Sequence, residues 1–343
     1  MVGQSLAKLL ESRSDDLYAK YGLKPRIVAV SDSGGMASDT SGLDCGRLVG
    51  AKRRHGTVAA YRKDGAGGAG ASTGDARNDA AAMMESIPGA DVLVETTPSN
   101  YRDAEPGMSN ITTAMKAGMH VVSVNKGPLA LAFPSLTELA AYNRVMFRFS
   151  GTVGGGTPIL DYAKNSLDGE RITSFRGILN GTTNYILSGM ASGMPPEAAL
   201  QDARERGYVE ADESLDLDGL DAAAKLVILA NWVMGLKVTM PDVDCTGIRD
   251  VTSAHIGNAA AKGMVVKMTA ACDGDGTLTV SPTEISGDDP LCVNGTLNAI
   301  SFTSEHSGTQ TIIGRGAGGM ETASAILRDL LYIRQRISSG AYD

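Results

Sequence analysis

The strongest constraint on this fold is an alternation along the first 150 residues, in which short apolar runs ending in polar residues are separated by segments with helical apolar spacing. SLAKLLESRSDDLYAKYG (5–22) spaces its apolar residues as a helix does, and RIVAVSD (26–32) is a β-branched run that closes on Asp32. RNDAAAMMESI (77–87), EPGMSNITTAMKAG (105–118) and LTELAAYNR (136–144) read as further helices, with DVLVETT (91–97), HVVSVNK (120–126) and VMFRFS (145–150) as strands between them. Strands separated by helices pair in parallel, because the chain must cross back before the next strand starts, and the helices then cover both faces. An α/β domain with a parallel sheet is expected.

In such a sheet, ligands collect at the carboxyl ends of the strands, which here carry Asp32, Thr96, Thr97, Asn125 and Lys126. A dinucleotide-binding sheet normally opens with an apolar strand leading into G-x-G-x-x-G. This chain opens MVGQSLAKLL, so only Val2 and Gly3 stand where that fingerprint ends, and a missing first strand is expected. The competing reading is a helix-first protein that binds no dinucleotide. Asp32 at a strand end suits a ribose 2′-hydroxyl and NAD, whereas Lys52, Arg53 and Arg54 suit a 2′-phosphate and NADP, so both cofactors stay open.

After residue 151 the pattern changes: RITSFRGIL (171–179), MVVKMTAAC (264–272), GTLTVSP (276–282), AISFTS (299–304) and TQTIIG (309–314) are strands, several of them consecutive. A second, mixed or antiparallel sheet follows from that. The chain's 343 residues are also more than one core usually organises. The expected division is a nucleotide-binding domain over 1–150, completed by 318–343, and a catalytic and dimerisation domain over 151–317. The amphipathic helix TASAILRDLLYIRQRI (322–337) is expected to pack back on the first domain.

A net charge of -8 argues against nucleic acid or an anionic membrane as partner and in favour of a small metabolite. No apolar run reaches the roughly 18–20 residues that cross a bilayer. Cys45, Cys245, Cys272 and Cys292 are scattered without a C-x-x-C pair, which suits reduced thiols rather than zinc or a disulfide framework. The first residues show no export pattern, and the cytoplasm is the expected compartment.

Two segments concentrate polar chemistry. GILNGTTNYIL (177–187) runs from a strand through a polar turn into a helix that Thr182 or Thr183 can cap, yet Asn180, Gly181 and Asn184 also crowd that turn as a substrate loop requires. GYVEADESLDLDGLDAAAKLVILA (207–230) sets Glu210, Asp212, Glu213, Asp216, Asp218 and Asp221 ahead of Lys225. Asp221 and Lys225 share a helix face, and the LVILA that follows carries that helix into a core. A solvated ion pair and an amine poised as a proton donor weigh about evenly on this stretch alone.

NKGPLA, TVGGGTPI, GILNGTTNYIL, GYVEADES-DLDG-DAAAKL and GRGAGGMETASAIL, in that order, resemble the homoserine dehydrogenase family from Gly3 to the end of the chain. The resemblance implies a Rossmann-like α/β domain with an α+β catalytic and dimerisation region, and no kinase or regulatory domain. It implies NAD(P)-dependent interconversion of L-aspartate 4-semialdehyde and L-homoserine, on the route to threonine, isoleucine and methionine, in a homodimer or homotetramer. Carried over by position, the proton donor falls on Lys225 with Asp221 beside it, and the second active-site lysine on Lys126. Glu210 and Asp221 hold the substrate, with Tyr208 and Thr182 lining its pocket. Val2, Gly3, Asp32, Thr97, Lys126 and Gly318 fall on the cofactor side. Relatives place a glutamate where this chain has Ser150, so the carbonyls of Val153, Gly155 and Thr157 are left to hold sodium without a carboxylate. The runner-up readings are an inactive homologue that cannot hold the dinucleotide, and another semialdehyde or amino-acid dehydrogenase.

Overall fold

The run ending on Asp32 forms strand β1 (Ala29–Asp32) and turns straight back into β2 (Gly35–Ser38). The two pair antiparallel, Asp32 opposite Gly35, and β3 (Ala69–Gly70) joins on the far side of β2. This strand therefore does not enter the parallel sheet, contrary to the expectation from its position. The physical reason is the Asp-Ser-Gly-Gly turn, a two-residue hairpin: Gly34 N donates to Asp32 Oδ1 at 2.9 Å, and Gly35 takes φ 130°, a conformation that suits glycine.

The computed structural model describes residues 1–61, 69–70, 76–209 and 212–340. The chain separates into one unit of Met1–Pro128, Ser135–Gly151 and Thr322–Asp343, and a second of Leu129–Pro134 and Thr152–Glu321. In the first unit, β4 (Val92–Glu95), β5 (His120–Ser123) and β6 (Phe147–Arg148) pair in parallel in that order, with Val92 opposite His120 and Val121 opposite Phe147. The segment 5–22 is two helices, Val2–Ser12 and Ser14–Tyr21, ended by Gly22 at φ 62°. Leu6, Leu10 and Leu17 from these helices pack with Val122 of β5 and with Ala323, Ile326, Leu327 and Ile333 of the C-terminal helix Gly319–Ser339. Each buried leucine or isoleucine there contributes on the order of 1.5–3 kcal/mol. Asp329 of that helix is fully buried and accepts from Arg148 Nε at 3.0 Å, Ser150 N at 2.9 Å and Ser150 Oγ at 2.6 Å, fastening the helix to the end of β6.

The second unit is built on a six-stranded sheet of β7 (Ile172–Ile178), β8 (Val243–Cys245), β9 (Met264–Cys272), β10 (Leu278–Ser286), β11 (Leu297–Ser304) and β12 (Gly308–Arg315), in the order β12-β11-β7-β9-β10-β8. Only β8 pairs in parallel, with β10, so the sheet is mixed. Helix Leu220–Met234 is buried continuously from Ala222 to Asn231, which makes it a core helix rather than a surface one. Lys267 of β9 is also fully buried, donating to Val293 O at 2.6 Å, Asn184 Oδ1 at 2.8 Å and Ser188 Oγ at 3.2 Å. Burial pushes its ammonium below the ordinary lysine range. The fold class is that expected, a Rossmann-like α/β part and an α+β part with a mixed sheet. Among the described residues, no helix is long and apolar enough to cross a membrane.

Candidate active site

In the second unit, β7 delivers the chain to Asn180, whose extended backbone lets its side chain fold over the start of helix Gly181–Ala191. Asn180 Oδ1 accepts from Thr183 N at 2.8 Å, so the cap is the asparagine and not Thr182 or Thr183. The reason is register: the cap must precede the first helical residue, and that residue is Gly181. The other side of the same amide faces two acids, with Nδ2 donating to Asp216 Oδ1 at 2.6 Å and to Asp221 Oδ2 at 3.0 Å. Asn184 instead serves the framework, donating to the carbonyls of Val293 and Leu297.

Lys225 lies one turn after Asp221, and its Nζ is 2.7 Å from Asp221 Oδ2. The same Nζ donates to the Leu179 carbonyl at 2.7 Å. These two bonds leave one ammonium N–H of Lys225 without a partner among the described residues. The side chains are only 9% and 15% exposed, which separates this pair from solvated surface pairs of little energetic weight. Asn298, itself buried, donates to the same Leu179 carbonyl at 2.9 Å. Asn180 and Asp216 stand out in sequence only as members of a crowded polar turn and of an acidic run, with no individual role. Asp216 lies outside the helix that carries Lys225, and Gly219 at φ 83° turns the chain between them, so helical spacing carries no signal for it.

The other expected substrate residues lie beside this cluster or outside the described chain. Thr182 Oγ1 donates to the Tyr208 carbonyl at 2.7 Å, while the Tyr208 ring meets Tyr185 edge-on at 4.8 Å and is 39% exposed. Glu210 lies outside the described residues. Gly318 takes φ 137°, a conformation that favours glycine, and a Cβ there would fall 2.1 Å from Glu321 Oε2, so the glutamate side chain would have to shift. The groups expected to hold sodium are the backbone carbonyls of Val153, Gly155 and Thr157. They bring no charge, and that of Thr157 already accepts from Ile159 N at 2.8 Å. Ser150 donates to Asp329 Oδ1 at 2.6 Å.

In the first unit, no side chain among the described residues caps helix Val2–Ser12. A Cβ on Gly3 would lie 3.5 Å from Thr96 Oγ1, which sets this helix start just past the carboxyl end of β4. Uncapped first-turn N–H groups beside a parallel-strand end suit the pyrophosphate of a dinucleotide. Asp32 accepts from Lys52 Nζ at 2.7 Å, Thr57 Oγ1 at 2.8 Å, Val58 N at 2.8 Å and Gly34 N at 2.9 Å. Burial alone would raise its pKa, but the Lys52 ammonium and the N–H and hydroxyl donors outweigh that and hold the carboxyl below its ordinary range. The acid that suits NAD and a lysine that suits NADP are thus joined in one ion pair.

Thr97 turns both its donors inward, to Glu95: its N–H lies 2.7 Å from Oε1, and its hydroxyl donates to the same oxygen. Asn125 Nδ2 donates to Thr97 Oγ1 at 3.0 Å, and Asn125 Oδ1 caps helix Lys126–Tyr142 by accepting from Gly127 N at 3.0 Å. Lys126 is the first residue of that helix, its N–H donating to Ser99 Oγ at 3.0 Å.

The homoserine dehydrogenase family model matches residues 158–331. A homoserine dehydrogenase of Methanocaldococcus jannaschii is 40% identical over 333 residues, covering 97% of this chain and 95% of its own. The chain belongs to the homoserine dehydrogenase family. An NAD(+)-dependent homoserine dehydrogenase of Pseudomonas canavaninivorans is 38% identical over 341 residues, covering 97% of this chain and 94% of its own. A hyperthermophilic archaeal homoserine dehydrogenase solved in complex with NADPH superposes with a TM-score of 0.81 at 26% identity, over 98% of this chain and 95% of that one. Family membership makes the chain an NAD(P)-dependent oxidoreductase.

Proposed function

We propose that the chain interconverts L-aspartate 4-semialdehyde and L-homoserine, with Lys225 as the acid that protonates the carbonyl oxygen during reduction. The observation that carries this reading is the Lys225 ammonium, held at 2.7 Å by both Asp221 and the Leu179 carbonyl with one N–H left over. When bound, a nicotinamide dinucleotide supplies the hydride. As the carbonyl carbon is reduced, negative charge grows on its oxygen. An ammonium fixed by two acceptors stabilises that charge without reorganising, and gives up the proton that completes the hydroxyl. In the reverse direction the same amine, now neutral, takes the hydroxyl proton.

Lys126 is the second lysine of this mechanism. Glu210 and Asp221 bind the substrate's ammonium and chain, with Tyr208 and Thr182 as further substrate contacts. The cofactor side is assigned to Val2, Gly3, Asp32, Thr97, Lys126 and Gly318. With both donors of Thr97 spent on Glu95, its contribution there is to shape the strand end rather than to donate. No step is assigned to a cation. A homodimer or homotetramer in the cytoplasm completes the proposal. Steady-state oxidation of homoserine with NAD and with NADP in turn tests it. Turnover with at least one supports the reading, and none with either, on folded protein, contradicts it.

A further inference from the structure

We propose that Glu95 is the counter-charge of the oxidised nicotinamide ring and biases this chain toward the oxidised form of its dinucleotide. The inference rests on the reading above that the nicotinamide lies at the carboxyl end of β4. Glu95 is the last residue of that strand and is 2% exposed. Its Oε1 accepts from the N–H and the hydroxyl of Thr97, and its Oε2 accepts from Asn110 Nδ2 at 2.7 Å. All three contacts bring a proton to Glu95 and none takes one from it, which is the pattern of an ionised carboxylate. Among the described residues no lysine, arginine or histidine pairs with it.

A buried carboxylate without a cation is costly to keep, and hydrogen bonds from neutral donors offset only part of that cost. A positively charged ligand at the strand end offsets the rest. The oxidised nicotinamide ring carries one positive charge and the reduced ring none, so a fixed negative charge nearby separates the two forms by electrostatics alone. At an effective dielectric of about 20 and a separation of several ångström, one such pair changes a ratio of dissociation constants by about tenfold or more.

The test is equilibrium binding, by calorimetry, of NAD+, NADH, NADP+ and NADPH to the wild-type chain and to Glu95→Gln. The expected result is that Glu95→Gln weakens each oxidised form about tenfold more than its reduced partner. Asn110→Lys leaves Glu95 in place and puts a cation on its carboxylate, so it is expected to shift the ratio in the same direction should Glu95→Gln fail to fold. Asn110→Ala removes a hydrogen bond to Glu95 but no charge, and is expected to leave the ratio as in the wild type. Equal weakening of both forms in Glu95→Gln and Asn110→Lys overturns this proposal alone. A wild-type chain that binds none of the four overturns the nucleotide reading and the proposal with it.

Discussion

Asn180 donates to Asp216 Oδ1 at 2.6 Å while its own Oδ1 caps the helix that follows, so one side chain sets a strand end, a helix start and an acid of the site. Asn180→Ala removes all three functions. The lost cap is expected to cost about 1 kcal/mol in urea unfolding. Releasing Asp216 and Asp221 is expected to lower kcat/KM by about tenfold or more. Unfolding that shifts while kcat/KM stays at the wild-type value would reduce Asn180 to a cap.

Gly316 is pressed against Asn298: a Cβ there would fall 2.0 Å from Asn298 Nδ2, the atom that holds the Leu179 carbonyl shared with Lys225. Gly316→Ala must push Asn298 aside. Turnover is expected to fall several-fold with KM for homoserine little changed, since the Lys225 amine is misplaced rather than removed. Normal kcat in this variant means that Leu179 is held without Asn298.

The alternation of elements and the Asp221 and Lys225 pair were legible because both rest on local spacing: period two for strands, and four residues for one helix face. The fate of β1 was not, since the same apolar run suits a parallel strand or a hairpin arm, and Gly34 and Gly35 decide between them. Asn298 was invisible for a different reason. Asn298 lies 119 residues from the Leu179 carbonyl it holds, and only the pairing of β11 with β7 brings the two together. Glu95 reads in sequence as one more polar strand end, and its burial is a property of the packed sheet.

Asp329 is fully buried with Arg148 beside it, so Asp329→Ala takes the carboxylate from a largely buried guanidinium and an acceptor from the N–H and hydroxyl of Ser150. A loss of about 3–5 kcal/mol is expected for breaking such a pair. Differential scanning calorimetry checks it, and a wild-type Tm would contradict the fastening role given to the C-terminal helix.

Lys267 sets a pH dependence. Burial lowers its pKa in the folded chain below the ordinary 10.5, so between that lowered value and 10.5 the unfolded chain binds more protons. Stability from this group is therefore fully present above 10.5 and is lost as the pH falls through the folded value. Lys267→Met is expected to be less stable overall, because Asn184 Oδ1 and Val293 O lose their donor, and also to lack that rise with pH. Urea midpoints of both proteins, followed from neutral pH upward, read the difference. Parallel curves would mean that Lys267 does not titrate in the native chain.

The central claim is that Lys225 does chemistry. The most direct test is kcat for homoserine oxidation by Lys225→Ala and Lys225→Arg, with the fold checked by circular dichroism. Loss of a positioned acid predicts a fall of about 10²-fold or more in Lys225→Ala. Little recovery is expected in Lys225→Arg, because arginine keeps the charge but does not readily release a proton. Near-normal turnover in Lys225→Ala would contradict the account and leave the pair with Asp221 as structure alone.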